Sequence, residues 1–147
     1  MNNKNRGFRF LEHTADVFVE AWAPTLAELF EEMAKAMFEI ITDTSKVEPV
    51  ECREISVNGF DLENLLYRWL EELLIIHDSE NMVFTEFKVH ELSKVSEEEY
   101  VIKGVACGEI FNPSKHEPRT VVKAVTYAQM KIEKKNDKWR ATAVFDI

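Results

Sequence analysis

Two stretches of the 147-residue chain carry residue types that could hold a cation. One is Leu11-Glu12-His13-Thr14-Ala15-Asp16, at the entrance to an apolar, β-branched run. The other is the closing Val144-Phe145-Asp146-Ile147, where a side-chain carboxylate adjoins the α-carboxylate of Ile147. A lone His or Asp beside a strand usually serves a turn, and chain ends usually fray. A terminus built into a sheet would instead present two anionic groups at a fixed spot. Were Asp16 to lie alongside, three ionised carboxylates would share one site, each pair repelling by ~4 kcal/mol at ~4 Å and an effective dielectric of ~20. Such a site takes up protons or a cation, and oxygen-only ligands favour Ca²⁺ or Mg²⁺ over zinc. Spacing along the chain leaves open whether Asp16 and Asp146 meet.

Other chemistry is thin. There is no GxSxG, GxxxxGK or HExxH, and the four glycines are never clustered. The acidic runs Glu31-Glu32, Glu71-Glu72 and Glu97-Glu98-Glu99 read as solvated faces or loops. Cys52 and Cys107 belong to no CxxC pair and read as two reduced, partly buried thiols, with a disulfide as the alternative. The formal net charge is −9, from 27 acidic and 18 basic residues. The basic residues are scattered, with small groups at 131–138 and 115–123, so negligible direct binding of nucleic acid is expected. An acidic surface suits a basic protein partner such as an RNA-handling enzyme. No apolar run reaches the ~18 residues of a membrane span, and Met1 to Arg9 leads into no signal segment, so a cytoplasmic protein is expected.

The elements that must position these residues follow from periodicity. Asp16–Ala23 reads as a strand that Pro24 ends. Thr25 and Glu28 form a capping box, and Leu26, Leu29, Phe30, Met33, Ala34, Met37, Ile40 and Ile41 recur at helical spacing behind it. Glu51–Asn58 alternates as a strand; Asp61 then caps a second helix striped by Leu62, Leu65, Leu66, Trp69, Leu70, Leu73, Leu74 and Ile76. After Ser79 the period falls to two, giving strands over 83–92, 100–110, 122–134 and 139–145, the last two joined at Asn136-Asp137 as an antiparallel hairpin. The expected fold is α+β: two amphipathic helices packed on one largely antiparallel sheet, a single domain over 1–147 with 1–7 flexible.

Four segments resemble the archease family in the same order. They are FRFLEHTADVFVEAWAPTLAELFEEMAKAMFEIITD, DLENLLYRWLEELLIIHD, KHEP followed by VKAVTYAQM, and WRATAVFDI. The resemblance spans Phe8 to Ile147; each motif is weak alone and the set is specific. It implies an archease-like fold and a non-enzymatic accessory role in tRNA splicing, promoting guanylylation and turnover of an RtcB-type RNA ligase. It also implies a metal site formed by Asp16, Asp146 and Ile147, with a divalent cation, Ca²⁺ before Mg²⁺ or Mn²⁺. His13, Lys123 and His116 match family positions that would contact the partner. Many members carry a His directly after the TY of VKAxTY, where this chain has Ala128, so no metal or proton-transfer role carries over there. The competing readings are a small metal-dependent hydrolase or phosphotransferase, and a chaperone-like interaction module.

Overall fold

The computed structural model describes residues 5–11 and 15–147. In chain order the elements are strands β1 (Gly7–Leu11) and β2 (Asp16–Ala23), helix α1 (Leu26–Ile41), strand β3 (Glu51–Gly59), helix α2 (Leu62–Glu80), and strands β4 (Met82–Ser96), β5 (Glu99–Ile110), β6 (Ala124–Lys135) and β7 (Lys138–Asp146). A short 3₁₀ turn, Thr44–Lys46, links α1 to β3.

The helices begin where their caps dictate. The Glu28 N–H donates to Thr25 Oγ1 at 3.1 Å, and Asp61 accepts the Asn64 N–H at 2.7 Å. The capping box is only half made, because the Thr25 hydroxyl donates to Glu28 Oε1 at 2.9 Å, leaving that side chain on the hydroxyl rather than on the Thr25 backbone N–H. At its other end α1 has no basic residue in the last turn. The β5–β6 connection supplies what is missing: the N–H groups of Arg119 and Thr120 donate to the carbonyls of Ile41 and Ile40, each at 3.1 Å, and the Arg119 guanidinium reaches the Glu39 carbonyl at 3.0 Å. Orphan carbonyls and the negative end of the helix dipole are thereby satisfied together.

The apolar stripes do what their spacing predicts. Phe30, Met33, Leu66, Trp69 and Leu73 are completely buried, and the Trp69 indole N–H donates to the Phe30 carbonyl at 3.1 Å, tying the helices together. The strands differ from expectation: they form two antiparallel sheets rather than one, in the orders β1-β2-β7-β6 and β3-β5-β4. α1 lies across β2 and β4 and α2 across β3 and β6, so each helix covers both sheets. Each helix also sends a glutamate to an edge strand. Glu31 of α1 accepts the Val89 N–H of β4 at 2.8 Å, and Glu63 of α2 accepts the Ile132 N–H of β6 at 3.2 Å. Occupied in this way, the edges offer fewer free groups to another chain.

Three further expectations are corrected. The flexible start, expected over 1–7, gives way to order at Arg6 and Gly7, where β1 pairs with β2 from Gly7↔Trp22 to Leu11↔Phe18; residues 1–4 lie outside the described residues. Glu31 and Glu32 are buried, not solvated, because the Arg6 guanidinium binds Glu32 at 2.6 Å, Glu28 at 2.9 Å and Glu31 at 3.0 Å. Cys52 and Cys107, 55 residues apart, are register partners of β3 and β5 and form a disulfide rather than two reduced thiols. The Asn136-Asp137 hairpin is present; Asn136 takes the left-handed conformation (φ 59°) that a twist-matched two-residue loop needs.

Candidate functional site

β2 and β7 run antiparallel in a register that sets Asp16 directly opposite Asp146. Directly opposed residues project from the same sheet face, with Cβ atoms roughly 4.5–5.5 Å apart. The preceding pair, Val17 and Phe145, projects to the other side, where Phe145 is fully buried in the core. The alternation is what brings both carboxylates out on the face that carries no helix. β6 completes the frame: Ala124 is the second neighbour of Asp146, and the Lys123 N–H donates to the Asp146 carbonyl at 2.7 Å. The last residue before the end of the chain is thus held from both sides, with Ile147 about one-third exposed beyond it.

Neither carboxylate has a hydrogen-bond or ion-pair partner among the described residues, and there no third Asp, Glu, His or Cys side chain joins them. Two opposed carboxylates without an internal cation suit a hard, oxygen-liganded ion. His13 lies outside the described residues. Lys123 is exposed.

His116 is elsewhere and is spoken for. Its side chain is buried, Nδ1 accepts the Asn112 N–H at 2.8 Å, and Nε2 faces Glu109 Oε2 at 2.9 Å. A backbone N–H can only donate, so the lone pair sits on Nδ1 and the proton on Nε2. His116 therefore fastens the β5–β6 connection with both ring nitrogens engaged inside the chain. Glu109 is the hub of that fastening: the Glu48 N–H, then the Lys115 ammonium, with His116 adding, hold its carboxyl down at about 2 against the opposing effect of burial.

Sequence reasoning missed a second feature of the outer face. Glu20, two residues beyond Phe18 on the same side, is buried between Arg9, at 2.5 Å, and Arg140; Arg140 also reaches Glu133 at 3.6 Å. This charge ladder crosses all four strands and neutralises itself, unlike the Asp16–Asp146 pair. Single charges far apart in sequence gave no signal of it. Beside it a cavity of about 410 Å³ opens over Phe18 and Thr142 beneath an irregularity in β6. There β6 advances five residues, Thr126 to Lys131, while β7 advances two, and Gln129 adopts a left-handed φ of 57°. The loop-out stacks Tyr127 on Tyr67, ring centroids 4.3 Å apart, and leaves Ala128 exposed with no group able to ligate or titrate.

Residues 8–147 match the archease protein family (MTH1598/TM1083). The chain is 53% identical over 140 residues to the protein archease of Sulfurisphaera tokodaii, covering 95% of this chain and 98% of that one. To the protein archease of Thermococcus kodakarensis it is 48% identical over 143 residues, covering 97% and 99%. Among solved structures, the solution structure of protein 1598 of Methanobacterium thermoautotrophicum superposes with a TM-score of 0.84 at 40% identity, covering 96% of this chain and 99% of that one. A crystal structure of an archease of Thermotoga maritima, described as a possible chaperone, has the same fold with a TM-score of 0.58 at 21% identity, over 93% and 94%. The chain belongs to the archease family.

Proposed function

We propose that this archease is a non-catalytic activator of an RtcB-type RNA ligase in tRNA splicing, working through a divalent cation, Ca²⁺ by preference, held by Asp16, Asp146 and the α-carboxylate of Ile147. One observation carries the reading: Asp16 and Asp146 are opposed across β2 and β7, with no ion-pair partner among the described residues. Like charges so placed repel, and an external cation relieves that repulsion. A bound cation would supply positive charge for phosphate or nucleotide oxygens at the ligase. The chain's own residues do the rest. The carboxylates bind, the β2–β7 register orients them, and the Lys123 N–H steadies the Asp146 backbone. On this reading the chemistry belongs to the partner. The net charge of −9 favours approach to a basic partner over direct contact with RNA.

The test is guanylylation and multiple-turnover ligation by a purified RtcB-type ligase with and without this protein, beside the protein alone with RNA and GTP. Stimulation by the wild type, none by Asp16→Asn or by a chain extended past Ile147, and no activity of the protein alone are expected. Ligase turnover that ignores the protein, or RNA processing by the protein alone, would remove the activator reading.

A further inference from the structure

We propose that Cys52–Cys107 is a reversible thiol–disulfide exchange site, reduced by an external dithiol, whose oxidised state clamps the start of β3 and the connection that leads toward β6. This goes beyond the activator reading and does not depend on it.

Position makes the site reachable. Cys52 lies on edge strand β3 and Cys107 opposite it on central β5, so both project from one sheet face. Residues flanking them on that face are Glu54, Val105, Glu86 and Lys88, whereas Ile55, Val57 and Ala106 point to the buried side. Cys52 is exposed and Cys107 half-buried, at the floor of a groove of about 550 Å³ rimmed by Lys35, Glu86 and Lys88. An incoming thiolate can approach the Cys52 sulfur without moving the core.

One thiolate of the dithiol attacks Cys52 Sγ, the S–S bond breaks, and Cys107 leaves as a thiolate on the face that also carries Lys88. The second thiol of the reductant, as thiolate, attacks the mixed disulfide and releases Cys52. Two electrons and two protons pass to the protein, giving two thiols, and the reductant leaves as its own disulfide.

What the bond holds is also visible. Immediately before Cys52, the Val50 N–H donates to the Gly108 carbonyl at 3.1 Å and the Glu48 N–H to Glu109 at 2.8 Å. Lys115 bridges Glu48 at 2.5 Å and Glu109 at 2.8 Å, and Glu109 holds His116. Cys107 is two residues from Glu109 on β5, so the covalent link fixes segment 48–52 against the strand that anchors 112–116. Reduction frees the clamp while the inner-face packing of Ile55 and Val57 against α2 persists.

The experiment uses the full chain equilibrated in mixtures of reduced and oxidised dithiothreitol, quenched with a thiol-alkylating reagent and weighed, with hydrogen exchange measured on both end states. Expected are a single transition in which both cysteines become labelled together in the folded protein, and exchange several-fold faster at 48–52 and 112–116 after reduction, with α1 and α2 unchanged. The double variant Cys52→Ser, Cys107→Ser should exchange like the reduced wild type and ignore dithiothreitol. Free cysteines in air-oxidised protein, a disulfide that yields only in denaturant, or identical exchange at 48–52 in both wild-type states would each overturn the proposal, and the wild-type arms stand even if the variant fails to fold.

Discussion

Two acidic clusters in this molecule look alike on paper and behave as opposites. Glu28, Glu31 and Glu32 of α1 surround one guanidinium, that of Arg6, and the latter two are almost completely buried. Asp16 and Asp146 face each other at the open end of β2 and β7, half-buried, with no counter-charge among the described residues. The first cluster spends its negative charge on the fold, since Arg6 fastens the chain start to α1 and Glu31 also covers the β4 edge. The second keeps its charge available. Burial and an internal cation mark a structural carboxylate; opposition without a cation marks one that can serve a ligand.

The largest expected effect tests the structural member. Arg6→Met leaves Glu31 and Glu32 buried without their cation. Breaking a fully buried pair costs roughly 3–5 kcal/mol, and with part of Arg6 in contact with solvent a loss of about 2–4 kcal/mol is expected. Urea unfolding at neutral pH measures it. A loss under about 0.5 kcal/mol would put this cluster on the solvated face that the sequence suggests, and the contrast would collapse.

Glu109 stands between the extremes, partnered by Lys115 and His116 yet near the surface. Its folded pKa of about 2 lies below the ordinary 4.5, so the folded state binds its proton less readily than the unfolded state. Stability from this carboxylate is therefore complete above pH ~4.5 and is lost as pH falls through about 2. Urea midpoints of wild type and Glu109→Gln should differ most near pH 7 and converge as pH falls from 4.5 toward 2. A gap that stays constant across that window would remove Glu109 from the set of structural carboxylates.

Local patterns were legible in the sequence and long-range meetings were not. The α1 and α2 stripes and caps depend on residues three or four apart, and both helices begin within a residue of their expected starts. β1 escaped because Phe8 and Phe10 alternate over only five residues beside Arg6 and Arg9. The split into two sheets, the Cys52–Cys107 pairing and the Arg6 cluster each depend on register between segments at least 22 residues apart, which composition and periodicity do not encode. Asp16 and Asp146 are the extreme case: the first long strand pairs with the last, and residue types alone left their meeting open. Only the archease resemblance pointed to it. The burial of His116 against Asn112 and Glu109 was equally out of reach, because a motif position says nothing of burial.

The smallest effect is the most discriminating. Removing a charge from an uncompensated pair takes away repulsion and leaves no buried group unpaired, so Asp16→Asn and Asp146→Asn should leave unfolding free energy in chelator unchanged or raise it by up to about 1 kcal/mol. The sign is opposite to that of Arg6→Met although all three changes remove one charge. Adding Ca²⁺ then separates the proteins further. A ligand that binds only the native state raises stability by RT ln(1 + [L]/Kd), about 2.7 kcal/mol at a hundredfold excess over Kd. The wild-type urea midpoint should climb with Ca²⁺, both Asn variants should stay flat, and Arg6→Met should climb in parallel with the wild type from its lower starting point. If Asp16→Asn lost stability in chelator and still responded to Ca²⁺, its carboxylate would be structural after all. The cation would then be bound elsewhere, and the distinction between the two clusters would fail at the residue on which it rests.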